Sequence, residues 1–122
     1  MKLSQVMLYV NDQARIRDFW VTYFNFIVKK EERHGEMYVV QLAPHENAET
    51  MITLHDRALI ARLSPEVNLG TPSLLFATDQ FEVLYDRLLE AGVTVGDITP
   101  FPGGRVFNFS DPEDNYFAVY EA

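Results

Sequence analysis

A motif that occurs twice limits what this chain can fold into more than any other feature. Gln5-Val6-Met7-Leu8-Tyr9-Val10-Asn11-Asp12 returns as Ser73-Leu74-Leu75-Phe76-Ala77-Thr78-Asp79, and each copy runs into a helix-like stretch that ends at Asn25-Phe26 or Gly92-Val93. An internal repeat of this kind indicates two copies of one supersecondary unit. In the first copy, period-2 alternation sets Val6, Leu8 and Val10 on a core-facing side and Gln5, Met7 and Tyr9 on the other.

The rest of each unit follows from periodicity and turn chemistry. Asn11-Asp12 supplies a helix N-cap, Ile16, Phe19, Trp20 and Tyr23 recur at helical spacing, and Asn25 suits a left-handed stop. Three β-prone runs, 26–30, 37–42 and 51–55, are divided by polar turns, which gives β-α-β-β-β. A connection over 57–72 holds a short helix at 58–63. The second unit has a strand at 73–78, a cap at Asp79 and a helix stripe of Phe81, Leu84, Tyr85, Leu88 and Leu89 that ends at Gly92. Strands over 93–98, 106–109 and 116–120 follow, with turns at 100–104 and 111–115. The expected fold is α+β, one domain spanning 1–122, with module one about 1–56 and module two about 73–122.

Composition narrows the function classes. At 122 residues and 48% apolar content, one domain buries roughly two thirds of the surface that its unfolded form exposes. A net charge of −8 argues against nucleic acid and anionic membranes as partners, because the summed surface charge repels both. Without cysteine there is no disulfide, thiolate nucleophile or sulfur-rich zinc site. No charged leader precedes an apolar run, and no stretch approaches about 18 apolar residues, so a cytoplasmic location is expected.

Two β-α-β-β-β units carry three local marks. These are Leu8-Tyr9-Val10-Asn11-Asp12 before Arg17-Asp18-Phe19-Trp20, the helix exit Leu88-Leu89-Glu90-Ala91-Gly92-Val93, and Asp111-Pro112-Glu113-Asp114-Asn115-Tyr116 before the last strand. In order and spacing the chain resembles, over nearly its whole length, the vicinal oxygen chelate superfamily of glyoxalase I, bleomycin-resistance proteins, fosfomycin-resistance enzymes and extradiol dioxygenases. Asp114 stands where the usual last turn has glycine. The resemblance implies two modules forming a curved mixed sheet around a cleft, helices on the outer face, commonly within a homodimer. It also implies, for the metalloenzyme members, a divalent ion such as Zn, Ni, Mn or Fe that polarises substrate oxygens. The corresponding ligand positions fall on Gln5, Ser73, Thr53 or its neighbourhood, and Ala118. Only Gln5 is a conventional donor, whereas a catalytic ion needs about three protein ligands. A two-residue shift of the 51–55 strand would bring His55 to the acidic position on the same face. The expectation is therefore no metal and no other cofactor, with a divalent-metal lyase or dioxygenase as the alternative.

Alternation sends Gln5, Met7, Tyr9, Thr53, His55, Ser73, Leu75, Tyr116, Ala118 and Tyr120 toward the implied cleft. That mixture of apolar, aromatic and hydrogen-bonding groups suits a small, mostly apolar or aromatic organic ligand. The same residues would also suit an inert, self-filled cleft in a dimeric interaction domain. His55 is the candidate for proton transfer because its reference pKa lies near neutrality, although a hydrogen-bonded strand histidine gives the same signal. Asp56 points to the opposite face, and His34 and His45 fall in polar turns. Phe101, in a Pro/Gly loop without core periodicity, is a candidate for covering the cleft mouth or meeting a partner chain. Arg105 either holds a ligand carboxylate or pairs with one of the chain's acids.

Overall fold

Alternation along the first strand is kept in the structure, a computed structural model describing residues 1–122, where β1 (Gln5–Val10) buries Leu8 and Val10 and leaves Met7 exposed. Asp12 adopts extended backbone and its carboxylate accepts from the Arg15 N–H at 3.0 Å, starting α1 (Gln13–Phe24). Asn25 ends the helix in the left-handed region at φ 58°, and the Phe26 N–H closes back onto the Trp20 carbonyl at 3.2 Å. The expected stripe packs inward: Ile16, Phe19 and Trp20 are buried, and the Trp20 ring lies 4.9 Å from that of Phe26.

β2 (Ile27–His34), β3 (Met37–Ala43) and β4 (Met51–Asp56) complete a mixed sheet of order β1-β4-β3-β2, with β1 parallel to β4. β2 runs four residues beyond the expected end at 30 because its charged half still pairs with β3. Being the outer strand, it can carry Lys30, Glu31, Glu32 and Arg33 in solvent without a burial penalty. Gln13 ties the start of α1 to the sheet, its amide nitrogen donating to the carbonyls of Tyr38 at 2.7 Å and Leu54 at 2.9 Å. Asp56 then caps α2 (Arg57–Leu63) by accepting from the Ala58 and Leu59 N–H groups. This first compact unit spans Met1–Thr71.

The second unit, Pro72–Ala122, repeats the plan with β5 (Leu75–Thr78), α3 (Phe81–Glu90), β6 (Thr99–Phe101), β7 (Gly104–Ser110) and β8 (Tyr116–Glu121). Its sheet has order β5-β8-β7-β6, with β5 parallel to β8. Four expectations change here. The α3 cap is Gln80, not Asp79; the Thr78 hydroxyl accepts from the Gln80 N–H at 3.0 Å and turns the chain into the helix. Leu89 belongs to no buried stripe and is 51% exposed. The strand expected at 93–98 is reduced to one bridge, Val95 to Phe109, flanked by single hydrogen bonds from Gly96 and Ser110. Pairing resumes instead at Thr99–Phe101, overlapping the start of the turn expected at 100–104, because Pro100 lies on an outer strand where a missing N–H is tolerated. The turn contracts to Pro102-Gly103, with Gly103 at φ 83°. Phe81, Leu84, Leu88, Phe107, Phe109, Phe117 and Val119 form the core between α3 and this sheet.

The last turn is organised by Asp111, which is buried. One carboxylate oxygen accepts from the Glu113 and Asn115 N–H groups, each at 2.9 Å, and the other accepts from the Asn115 amide at 2.9 Å. Asp114 holds φ 61° there, so an aspartate occupies the left-handed position where the family pattern has glycine.

Candidate functional site

Strand register groups the candidate residues of the first unit. β1 and β4 pair in parallel with Gln5 opposite Met51, Met7 opposite Thr53 and Tyr9 opposite His55. Cross-strand partners share a face, so Gln5, Met7, Tyr9, Thr53 and His55 lie on one side of the sheet, while Leu8, Val10, Ile52 and Leu54 lie on the side of α1. Thr53 is 2% exposed, and its hydroxyl donates to the Gln5 amide oxygen at 2.7 Å. The His55 Nε2 sits 3.3 Å from the Met7 sulfur, and the His55 ring stacks on Tyr9 with centroids 5.8 Å apart and planes inclined by 23°.

Burial lowers the His55 pKa below its ordinary value, which favours the neutral imidazole near pH 7. Asp56 is committed to capping α2, so no adjacent carboxylate orients the ring. The neutral imidazole can give one hydrogen bond and accept one. Its stability consequence has a definite sign. Folded His55 binds a proton more weakly than unfolded His55, so the unfolded state takes up more protons as pH falls below about 6.5. The residue costs nothing above that range, and its penalty grows down to the folded pKa and then levels off. Between about pH 7.5 and about pH 5, the urea midpoint of the natural chain should therefore fall more than that of His55→Gln.

In the second unit, Leu75 lies opposite Ala118, and Tyr120 lies between Ala77 and Val106. Leu75, Tyr116, Ala118 and Tyr120 share the side away from α3; Ser73 is exposed just before β5. Phe101, opposite Gly104, is on the same side and packs on Tyr120 at 5.5 Å between ring centroids. Since Gln5 and Ser73 are repeat mates, so are Met7 and Leu75, and their ladder partners Thr53 and Ala118 occupy equivalent positions. That equivalence puts Thr53, rather than His55, at the position matching Ala118.

Arg105 is directed elsewhere. It alternates in phase with Phe107 and Phe109 and faces α3, its guanidinium 5.0 Å over the Phe81 ring. Both carboxylate oxygens of Glu121 accept from it, at 3.0 and 2.6 Å, and Glu82 accepts at 2.9 Å. These bonds raise the Arg105 pKa and lower that of Glu121. Arg105 borders a depression of about 240 Å³ with Asp79, Gln80, Phe81, Glu82, Val83 and Glu121. A second depression, about 440 Å³, runs along α2 and is lined by Glu36, Asp56, Ala58, Leu59 and Arg62. Neither contains the other expected ligand-binding residues.

Two polar residues on these sides were missed: Gln41, opposite Thr53, and Asn108, opposite Ala118. Alternation could have found both, since Val40 and Leu42, like Phe107 and Phe109, are buried on either side of them.

The four positions that correspond to metal ligands do not fit a catalytic divalent ion. The Gln5 oxygen already accepts from Thr53, Ser73 offers a neutral hydroxyl and Ala118 has no donor. No group of three His, Cys, Asp or Glu side chains converges anywhere in the chain.

The repeated units, each with its first strand parallel to its last, define the glyoxalase-type α+β fold. Residues 2–119 match the Glyoxalase/Bleomycin resistance protein/Dioxygenase superfamily, and the chain belongs to that family. Among solved structures it is similar to TnmS3, an antibiotic binding protein from Streptomyces sp. CB03234, at 28% identity and TM-score 0.83 over 99% of this chain and 95% of that one. A glyoxalase/bleomycin resistance protein from the same organism has 28% identity and TM-score 0.78, covering 98% and 99%. The uncharacterised protein YetH of Bacillus subtilis strain 168 is 24% identical over 122 residues, 98% of each chain. No helix is long and apolar enough to cross a membrane.

Proposed function

We propose that this chain binds a small, mostly apolar or aromatic organic molecule and uses no resident metal ion to do so. The observation that carries the reading is the Gln5–Thr53 hydrogen bond: the one conventional donor among the expected ligand positions is turned to a neighbouring side chain. Around it stand Met7 and the stacked Tyr9–His55 pair, and the second unit offers Leu75, Ala118 and the Phe101–Tyr120 pair. Such surfaces suit ligand burial with few polar contacts. Similarity to the antibiotic binding protein TnmS3 supports a binding role. Arg105 falls outside the proposed surface because its donors serve Glu121 and Glu82. A cytoplasmic homodimer without a nucleic-acid or membrane partner completes the reading, the last two in keeping with the net charge of −8.

The test is a screen of uncharged aromatic compounds by calorimetry, followed by Tyr9→Ala and Tyr120→Ala against the tightest binder. Loss of one aromatic contact is worth about 1 kcal/mol, so at least one variant should bind roughly fivefold more weakly while its thermal melt stays near that of the natural chain. Unchanged affinity in both would remove these faces from the binding site.

A further inference from the structure

Resting on that reading of the first unit, we propose that Gln5 is a specificity-determining hydrogen-bond donor. The ligand it selects is an elongated, flat aromatic molecule carrying an uncharged carbonyl acceptor.

The direction of the Thr53–Gln5 bond decides which polarity the amide presents. Thr53 is nearly fully buried and its hydroxyl donates to the Gln5 oxygen, so the accepting end of the amide is used. The nitrogen end, with two N–H donors, makes no hydrogen bond within the chain, and Gln5 is partly exposed. Thr53 is thus a positioning residue: it holds the amide so that donors, not an acceptor, face a ligand.

Spacing along β1 gives the ligand its shape. Gln5, Met7 and Tyr9 follow one another on the same side of the strand, and the four steps from Gln5 to Tyr9 span about 13 Å. Between them Met7, 37% exposed, supplies an apolar floor, and at the far end the Tyr9–His55 stack supplies a flat ring surface. A molecule that meets both ends must extend for two or three fused rings and place its acceptor beside Gln5. No lysine or arginine is among Gln5, Met7, Tyr9, Thr53 and His55, and a neutral His55 adds no positive charge. Nothing in this set compensates a carboxylate, whereas an amide N–H suffices for a neutral carbonyl.

2-Acetylanthracene and 2-ethylanthracene test this, because they share a planar three-ring frame and differ only in C=O against CH₂ at one end of its long axis. By calorimetry or competition, the natural chain should bind 2-acetylanthracene about threefold to tenfold more tightly than 2-ethylanthracene, the effect of one hydrogen bond. Gln5→Leu should abolish that preference, read as the ratio of the two affinities within the variant. Thr53→Val, which releases the amide but keeps its donors, should reduce the preference; a purely structural role for Thr53 would weaken both probes alike. Equal affinities in the natural chain, or a preference that survives Gln5→Leu, would overturn the donor assignment while leaving aromatic binding intact. If neither probe bound, the parent reading of this face would fail, and the donor assignment with it.

Discussion

Trp20→Ala is expected to lower folding stability by about 3–5 kcal/mol, the range for truncating a large aromatic in a packed interior. Trp20 is 0% exposed and meets the rings of Phe26 at 4.9 Å, Phe24 at 5.2 Å and Phe19 at 5.7 Å. Phe19 and Phe24 lie on α1 with it and Phe26 on the segment entering β2, so the buried ring is enclosed by aromatic neighbours and the cavity has little room to collapse. With total stability on the order of 5–15 kcal/mol, the variant should be close to unfolding at room temperature. Because Trp20 is the one tryptophan, its own fluorescence disappears with it, and urea unfolding should be followed by far-ultraviolet circular dichroism. Val21→Ala, on the exposed side of the same helix, should change stability by no more than about 0.5 kcal/mol. A Trp20→Ala loss below about 1 kcal/mol would contradict the packing described.

The second large effect is expected at Asp111. Its carboxylate receives three hydrogen bonds, two from backbone N–H groups in the turn that feeds β8. Hydrogen bonds to a charged acceptor are worth about 1.5–3 kcal/mol, and neighbouring bonds in one turn are not additive. Asp111→Ala should therefore cost about 2–4 kcal/mol, again read from urea unfolding. Asp111→Asn keeps an oxygen for the two backbone donors but turns an amide toward the Asn115 amide, so its loss should be smaller, about 1–2 kcal/mol. If alanine and asparagine were equally and mildly tolerated, the turn would not depend on this acceptor.

Local signals in the chain were enough for most of the architecture. The alternation of Val6, Leu8 and Val10, the stop at Asn25 and the exit at Gly92, whose φ is 78°, depend on residues close in sequence and were legible. The 93–98 stretch was not, because its apolar residues look strand-like while it exchanges only isolated bonds with β7. The opposite error occurred at Thr99–Phe101, where two prolines suggested a turn but an outer position let Pro100 pair. For the site, strand faces could be read, so Gln5, Met7, Tyr9 and His55 were grouped correctly on one side of the first sheet. Register could not. Only the β1–β4 ladder shows Thr53 opposite Met7, and only the packed structure shows its hydroxyl bonded to Gln5. Arg105 illustrates the same limit, since its ion pair with Glu121 joins adjacent strands whose alignment is a tertiary property.

Elemental analysis of untagged protein, combined with thermal unfolding in the presence of Zn²⁺, Mn²⁺, Ni²⁺ or Fe²⁺, is the most direct test of the metal-free binding proposed for this chain. An ion held only by the native state at a hundred times its Kd would add about 2.7 kcal/mol and raise Tm by several degrees. The proposed reading predicts far less than about one metal ion per chain and no stabilising shift with any of the four, because the Gln5, Ser73, Thr53 and Ala118 positions include one conventional ligand, Gln5, whose oxygen already accepts from Thr53. About one tightly bound ion per chain, with a Tm that rises on its addition, would contradict it.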